Sequence, residues 1–178
     1  DGDAIPYRTL PGTSHPLAAY FTRGSGHDEQ ARYTESSEAY VRVMDRLARK
    51  FETARGILPA PVLDPTPGAE VGLLAFGSTH HAMAETRDIL AADGLSTSYL
   101  RVRAYPFASG VRAFLEAHER VYVIEQNRDA QMAALLRMDS PDLAARIRSV
   151  LHYDGLPIDA ESIVKGVRSG DRAEVAVQ

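Results

Sequence analysis

Between residues 69 and 170 the apolar positions follow two alternating rhythms. Val71–Gly77 and Val121–Glu125 are nearly continuous apolar runs, the pattern of strands buried on both faces. Thr97–Arg103 instead alternates, Leu100 and Val102 against Tyr99, Arg101 and Arg103, which predicts an edge strand. Inward positions at three- and four-residue spacing (Ala82, Met83, Thr86, Ile89, Leu90) predict a helix over Thr79–Asp93, closed by Gly94. Val111, Phe114 and Leu115 mark a short helix after Pro106, and another is expected from about Asn127 to Met138. Ser149–Tyr153 reads either as a strand or as the end of a helix that begins at Pro141. A last helix is expected from about Ala160 to Arg168, followed by a fraying polar tail over 171–178. Strands alternating with helices predict a three-layer α/β/α domain over 69–170 with a mainly parallel sheet. If the Val71 strand lies centrally between the other two, its carboxyl end faces a topological switch point, where open α/β sheets tend to bind ligands.

Upstream the pattern changes twice. Residues 37–68 read as one amphipathic helix and a connector. Ser36 or Ser37 can cap the helix, and Glu38 sits in its first turn. Tyr40, Val43, Met44, Leu47 and Phe51 form one apolar stripe, with Glu38–Arg42 and Asp45–Arg49 pairs on the remaining faces and Gly56 as the stop. Pro59, Pro61, Pro65 and Pro67 then make a stiff connector ending at Gly68, the expected domain boundary. Residues 1–36 show neither period. Their prolines, glycines and aromatics (Tyr7, Tyr20, Phe21, Tyr33) predict an extended arm from an upstream domain, lying on a surface outside this one.

Composition narrows the classes of function. Of 178 residues, 44% are apolar and 25% charged, enough to bury a core. A net charge of −4 argues against non-specific binding to nucleic acid or to an anionic membrane surface. No apolar run reaches the roughly 18–20 residues of a bilayer span. There is no cysteine, so a thiol nucleophile or a cysteine-ligated cluster must come from another chain. The first residue is Asp1 and no signal segment follows, so the chain is expected to be a piece of something longer.

Three constellations carry candidate chemistry. Gly24-Ser25-Gly26-His27 reads first as a turn; on a functional reading, His27 and Arg23 face a site shared with another domain, where the guanidinium suits an anion. Ser78 and Thr79 stand at a strand-to-helix turn, where either caps the helix and its free N–H groups suit an anion. His80 and His81 are adjacent, about 100° apart on a helix, which is the wrong spacing for a helical metal site. Glu125 and Asn127 stand at the other strand's carboxyl end, beside Ser78 and Thr79 if the strands are neighbours. Glu125 then serves as a general base, as a partner's hydrogen-bond acceptor, or as a helix-start carboxylate, the last two together being favoured. No P-loop, Gly-x-Ser-x-Gly elbow or His-Glu-x-x-His motif is present.

Gly2-Asp3-Ala4-Ile5-Pro6-Tyr7-Arg8-Thr9-Leu10-Pro11-Gly12, followed by Tyr20-Phe21-Thr22-Arg23-Gly24-Ser25-Gly26-His27-Asp28-Glu29, resembles the alpha subunit of 2-oxoacid:ferredoxin oxidoreductases, most closely the 2-oxoglutarate type. Lys50-Phe51-Glu52-Thr53, Gly77-Ser78-Thr79, Tyr105-Pro106-Phe107, Val123-Ile124-Glu125-Gln126-Asn127 and Tyr153-Asp154-Gly155-Leu156-Pro157 continue the resemblance in order. It implies a cytoplasmic, thiamine-diphosphate enzyme that converts a 2-oxo acid (2-oxoglutarate, or pyruvate in related enzymes) and coenzyme A to acyl-CoA and CO2, passing electrons to ferredoxin. On this resemblance the chain is the C-terminal, transketolase C-terminal-like part of the subunit with the arm leading into it. Partners would be the upstream alpha-subunit domain and a beta subunit, with homodimer contacts also compatible. Thiamine diphosphate, magnesium and an iron–sulfur cluster would be held in the full complex and none by this chain, which is expected to be structural and inactive alone. The other reading of the residues is a small-molecule or nucleotide-binding regulatory α/β domain.

Overall fold

The computed structural model describes residues 2–19 and 26–175, with 171–175 as backbone only. The chain divides into two compact units, Asp1–Ile57 and Leu58–Gln178.

The first unit is built on α1 (Ser37–Ile57). Ser36 caps it, its Oγ accepting from the Ala39 N–H at 3.3 Å. Ala39 and Val43 are its buried residues, and the same face is tied to the N-terminal segment. Arg46 donates to the Ala4 carbonyl at 3.2 Å and Thr53 Oγ1 to the Asp3 carbonyl at 2.7 Å. The described parts of the predicted arm therefore include a stretch held by α1 itself. Of the predicted apolar stripe, Val43 is buried and Leu47 half-buried, whereas Tyr40, Met44 and Phe51 are exposed. Arg42, expected to pair with Glu38, instead donates to Glu29 at 2.8 Å.

The second unit is a five-stranded sheet in the order β1-β3-β2-β4-β5, formed by β1 (Val62–Asp64), β2 (Val71–Phe76), β3 (Thr97–Val102), β4 (Arg120–Glu125) and β5 (Ile147–Leu151). β2 pairs in parallel with both β3 and β4, and β4 with β5. The central position expected for the Val71 strand is the observed one. β3 is not the edge: β1, hidden in the proline-rich connector, pairs with it antiparallel through Leu63 opposite Leu100. Three residues are too few to show a period, so the connector concealed the strand. The Pro141 segment resolves into a 3-10 helix to Arg146, with β5 beginning at Ile147.

Period-2 alternation sorts the strand residues onto two cores. Leu74, Leu100, Val121 and Val123 pack with α3 (Ser109–Ala117) and α4 (Gln131–Asp139) through Phe114, Leu115 and Leu136. Leu73, Ala75, Tyr122 and Ile124 pack with α2 (Met83–Ala92) and α5 (Ala160–Val175) through Met83, Leu90, Ile163 and Val167. The result is the expected three-layer α/β/α arrangement. The last helix continues beyond Arg168, to Val175.

Gly72 marks a close approach of a layer to the sheet. A Cβ there would lie 2.7 Å and 2.9 Å from two ring carbons of Phe114 and 3.2 Å from His118. His118 is itself buried, its Nδ1 2.7 Å from the Phe114 carbonyl, so the ring cannot swing aside freely. Gly72→Ala is expected to destabilise the chain by about 1–2 kcal/mol through overpacking, read from the midpoint of urea unfolding.

Candidate functional site

β2 and β4 end side by side, and the segments that follow them build one site. After Phe76 the chain turns at Gly77, which has φ +59°, into a 3-10 helix over Gly77–Ala82 before α2 begins. Neither Ser78 nor Thr79 caps a helix. The residue before the 3-10 turn is Phe76 and the one before α2 is Ala82, and neither makes a side-chain cap bond. The reason lies in where the hydroxyls point. Both accept from Gln126 Nε2, Ser78 Oγ at 3.2 Å and Thr79 Oγ1 at 3.0 Å. The turn also removes the expected row of α-helical N–H groups beside Ser78.

Glu125, the last residue of β4, is fully buried. Its carboxylate accepts from the backbone N–H of Met132 at 2.7 Å, the N–H of Ala133 at 3.0 Å and Asn127 Nδ2 at 2.8 Å. These N–H groups open α4, so the charge sits where free donors and the helix dipole favour an anion. With its lone pairs occupied by donors and no solvent access, Glu125 is built to anchor the helix. Asn127 Oδ1 accepts from the N–H groups of Asp129 and Gln131, at 3.1 Å and 3.3 Å. Ala130 then takes a left-handed conformation, φ 51°, and α4 starts at Gln131, four residues later than the periodicity indicates.

Phe76, Ser78, Thr79, Gln126, Asn127, Gln131, Met132 and Leu135 line an open cleft of about 490 Å³ at this edge. Its polar lining is hydroxyl and carboxamide, with no charged side chain among these residues. Gln126, whose amide joins the two strand ends, was the member that residue-type reasoning passed over. It bears no charge and titrates nowhere, so only the neighbourhood of the strands reveals it.

The other candidates lie elsewhere. His27 faces Tyr33 in an isolated antiparallel bridge, its Nδ1 3.0 Å from the Asp28 carbonyl. Arg23 lies outside the described residues. His80 is turned away from the cleft. Its Nδ1 is 3.1 Å from the Tyr99 hydroxyl, and the rings stack at 5.9 Å with planes 7° apart. Burial, then the positive charge of Arg101, then His81 hold its pKa below the ordinary 6.5. Burial likewise pushes the Tyr99 phenol up to about 12. Among the described residues no group of three or more His, Asp or Glu is placed to hold a metal ion, and no helix is long and apolar enough to cross a membrane.

A central parallel strand, crossover helices on both faces and a cleft at the switch point define an open α/β domain of the doubly wound class. No family model matches the chain. It is 31% identical over 153 residues to the alpha subunit of 2-oxoacid:ferredoxin oxidoreductase 2 of Aeropyrum pernix, covering 82% of this chain and 23% of that subunit. The chain thus spans about a quarter of the relative's length, and it is a homologue of part of a 2-oxoacid:ferredoxin oxidoreductase alpha subunit. Its fold matches the 2-oxoglutarate:ferredoxin oxidoreductase of Magnetococcus marinus, solved with 2-oxoglutarate, coenzyme A and succinyl-CoA bound. That match has a TM-score of 0.77 at 23% identity and covers 95% of this chain and 29% of the other. A split-gene transketolase, an inactive beta4 tetramer, matches at TM-score 0.52 and 14% identity over 61% of this chain and 40% of its own. The transketolase-like reading of the sheet agrees with both.

Two outcomes follow from the site's geometry. Glu125→Gln places an amide NH2 among donors and removes the charge at the helix start, so a loss of about 2–3 kcal/mol is expected in denaturant unfolding. The second concerns His80. Its pKa is lower folded than unfolded, so as pH falls below about 6.5 the unfolded chain takes up the proton first. Stability is therefore lost with falling pH in that window, and the difference between the Tm profiles of the native chain and His80→Gln should grow below it.

Proposed function

We propose that this chain is the transketolase C-terminal-like segment of the alpha subunit of a thiamine-diphosphate-dependent 2-oxoacid:ferredoxin oxidoreductase of the 2-oxoglutarate type. The whole enzyme converts a 2-oxo acid, 2-oxoglutarate rather than pyruvate on this reading, and coenzyme A to acyl-CoA and CO2, with electrons passing to ferredoxin in the cytoplasm. The observation that carries this reading is homology along 82% of the chain to a subunit of which it spans 23%.

The role of this segment is structural. An iron–sulfur cluster needs thiolates and the chain has no cysteine. On this reading the cluster, and magnesium with the diphosphate it neutralises, are held outside this chain. The beta subunit and the upstream alpha-subunit domain are their proposed holders. What this chain contributes is a rigid sheet and, on α1, an apolar stripe with Tyr40, Met44 and Phe51 exposed. Such a stripe on a 21-residue helix suits burial against another part of the complex. The order of arm, helix with connector, and α/β domain belongs to the same reading, with β1 of the connector joined to the sheet and the last helix running to Val175.

A second reading rests on the cleft at Ser78, Thr79, Gln126 and Asn127, and makes the chain a regulatory domain for a small molecule or nucleotide. Thermal unfolding separates the two. A binding domain is stabilised saturably by thiamine diphosphate, coenzyme A or a nucleotide, whereas an assembly segment is not.

Native mass spectrometry of the protein from its source tests the main reading. The expected species is an alpha polypeptide containing this sequence, bound to a cluster-bearing beta chain. A free 19.4 kDa species would overturn it. Phe51→Asp is expected to leave the helical content of the chain unchanged while abolishing co-purification with the other subunit, and retention of the complex would count against the α1 stripe as the contact.

A further inference from the structure

Two clefts flank the turn at Gly77–Ala82. One, on the α2 side, is lined by Asp64, His80, Arg87 and Thr97 among others. There Arg87 pairs with Asp64 and donates to Thr66 Oγ1 at 3.0 Å and to the Thr97 carbonyl at 3.1 Å. Its terminal nitrogens are thus engaged in tying α2 to β1 and β3. The other is the switch-point cleft of about 490 Å³, and there the groups left over are exposed.

The carboxyl edge of a doubly wound sheet ordinarily offers an anion the free N–H groups of a helix start. Here that place is filled from within the chain. The N–H groups of Met132 and Ala133 donate to Glu125, that of Gln131 to Asn127 Oδ1, and that of Ala134 to the Ala130 carbonyl. The first turn of α4 therefore has no N–H to spare, and a buried carboxylate lies behind it. Among the described residues none lining the cleft is charged, so nothing replaces those donors. A phosphate or carboxylate would enter without a partner and against the charge of Glu125.

What remains is a neutral donor beside a neutral acceptor. Gln126 commits both amide hydrogens, to Ser78 Oγ at 3.2 Å and to Thr79 Oγ1 at 3.0 Å, which fixes the plane of its carboxamide. Its Oε1 has no partner among the described residues and can accept, while Ser78, the acceptor in its pair, keeps an O–H to donate. Both residues are exposed, whereas Thr79 is buried and takes no part. The half-buried Phe76, Met132 and Leu135 supply an apolar wall. A carboxamide meets both groups at once from one rigid plane; an ester or a carboxylate, lacking N–H, does not. We propose that this cleft binds a small neutral ligand bearing a primary carboxamide on an apolar body. The ligand's carbonyl accepts from the Ser78 hydroxyl, its NH2 donates to Gln126 Oε1, and the body lies against Phe76, Met132 and Leu135. The proposal rests on the small-molecule reading of this cleft and narrows it, since the phosphate of a nucleotide is excluded.

The test is titration of the 15N-labelled chain with benzamide, followed by amide chemical shifts, with benzoate as its anionic isostere and adenosine monophosphate as the phosphate-bearing probe. Benzamide is expected to give a saturable shift at the amides of Ser78, Gln126 and Leu135, and neither anion a shift there. Ser78→Ala removes one neutral hydrogen bond and should weaken benzamide roughly threefold to tenfold. Gln126→Met removes the acceptor and should abolish saturable binding while the circular-dichroism spectrum stays that of the native chain. If benzoate or the nucleotide binds there as well as benzamide does, the neutral carboxamide is overturned and the small-molecule reading of the cleft stands. If none of the three shifts these amides the proposal falls, and that reading falls with it when thiamine diphosphate and coenzyme A are silent too. Benzamide shifts confined to the amides around His80 and Arg87, or binding that Ser78→Ala leaves unchanged, overturn the proposal as well.

Discussion

A buried carboxylate decides the geometry of the functional edge. Glu125 is enclosed at the end of β4, and its charge is tolerable there because three N–H donors converge on it. That requirement fixes the first turn of α4 against the strand. Asn127 is drawn back towards the carboxylate, and the loop to Ala130 has no freedom to wander. Gln126, the residue between, is turned the other way and reaches the hydroxyls of Ser78 and Thr79. The switch-point cleft is therefore a consequence of how one charge is satisfied. Its uncharged lining follows in part, because the carboxylate that ends β4 faces inward.

Much of this was legible in the chain. Val71–Gly77 and Val121–Glu125 contain long apolar stretches, and only a strand buried on both faces needs that; their central placement follows. Gly94 and the Pro106 break mark ends that any reading of turns would find. The failures share a physical cause. β1 has three residues inside a proline-rich stretch, too short for a period, so β3 looked like an edge. The start of α4 was misplaced because Asn127 and Glu125 satisfy its N–H groups from outside the helix, which shifts the boundary to Gln131 without changing the apolar spacing. Ser78 and Thr79 have the residue types of caps, and only the neighbouring strand shows that they serve Gln126 instead. Arg87, Thr66 and Thr97 lie far apart in sequence and look like ordinary surface residues until the sheet brings them together.

The helix α1 raises a different point, about where a hydrophobic pattern leads. Its period predicts an inward stripe, yet within the described unit only one edge of that stripe is covered, Val43 being buried with Ala39 on the face tied to Asp3 and Ala4. Leaving Tyr40, Met44 and Phe51 about half exposed forgoes part of the roughly 1.5–3 kcal/mol that full burial of a large apolar side chain contributes. A helix with such a stripe and so narrow a covered face suits burial against a further surface, as proposed above. The chain's match to about a quarter of an alpha subunit is compatible with that proposal.

The two clefts share the turn at Gly77–Ala82. Four consecutive side chains, Ser78 to His81, are divided between them on six residues of tight 3-10 helix. A 3-10 turn is short, with poorer hydrogen-bond geometry than an α-helix, and is readily adjusted. Thr79 is held by Gln126 on one side and His80 meets Tyr99 on the other, so contacts from two directions set the conformation of the turn.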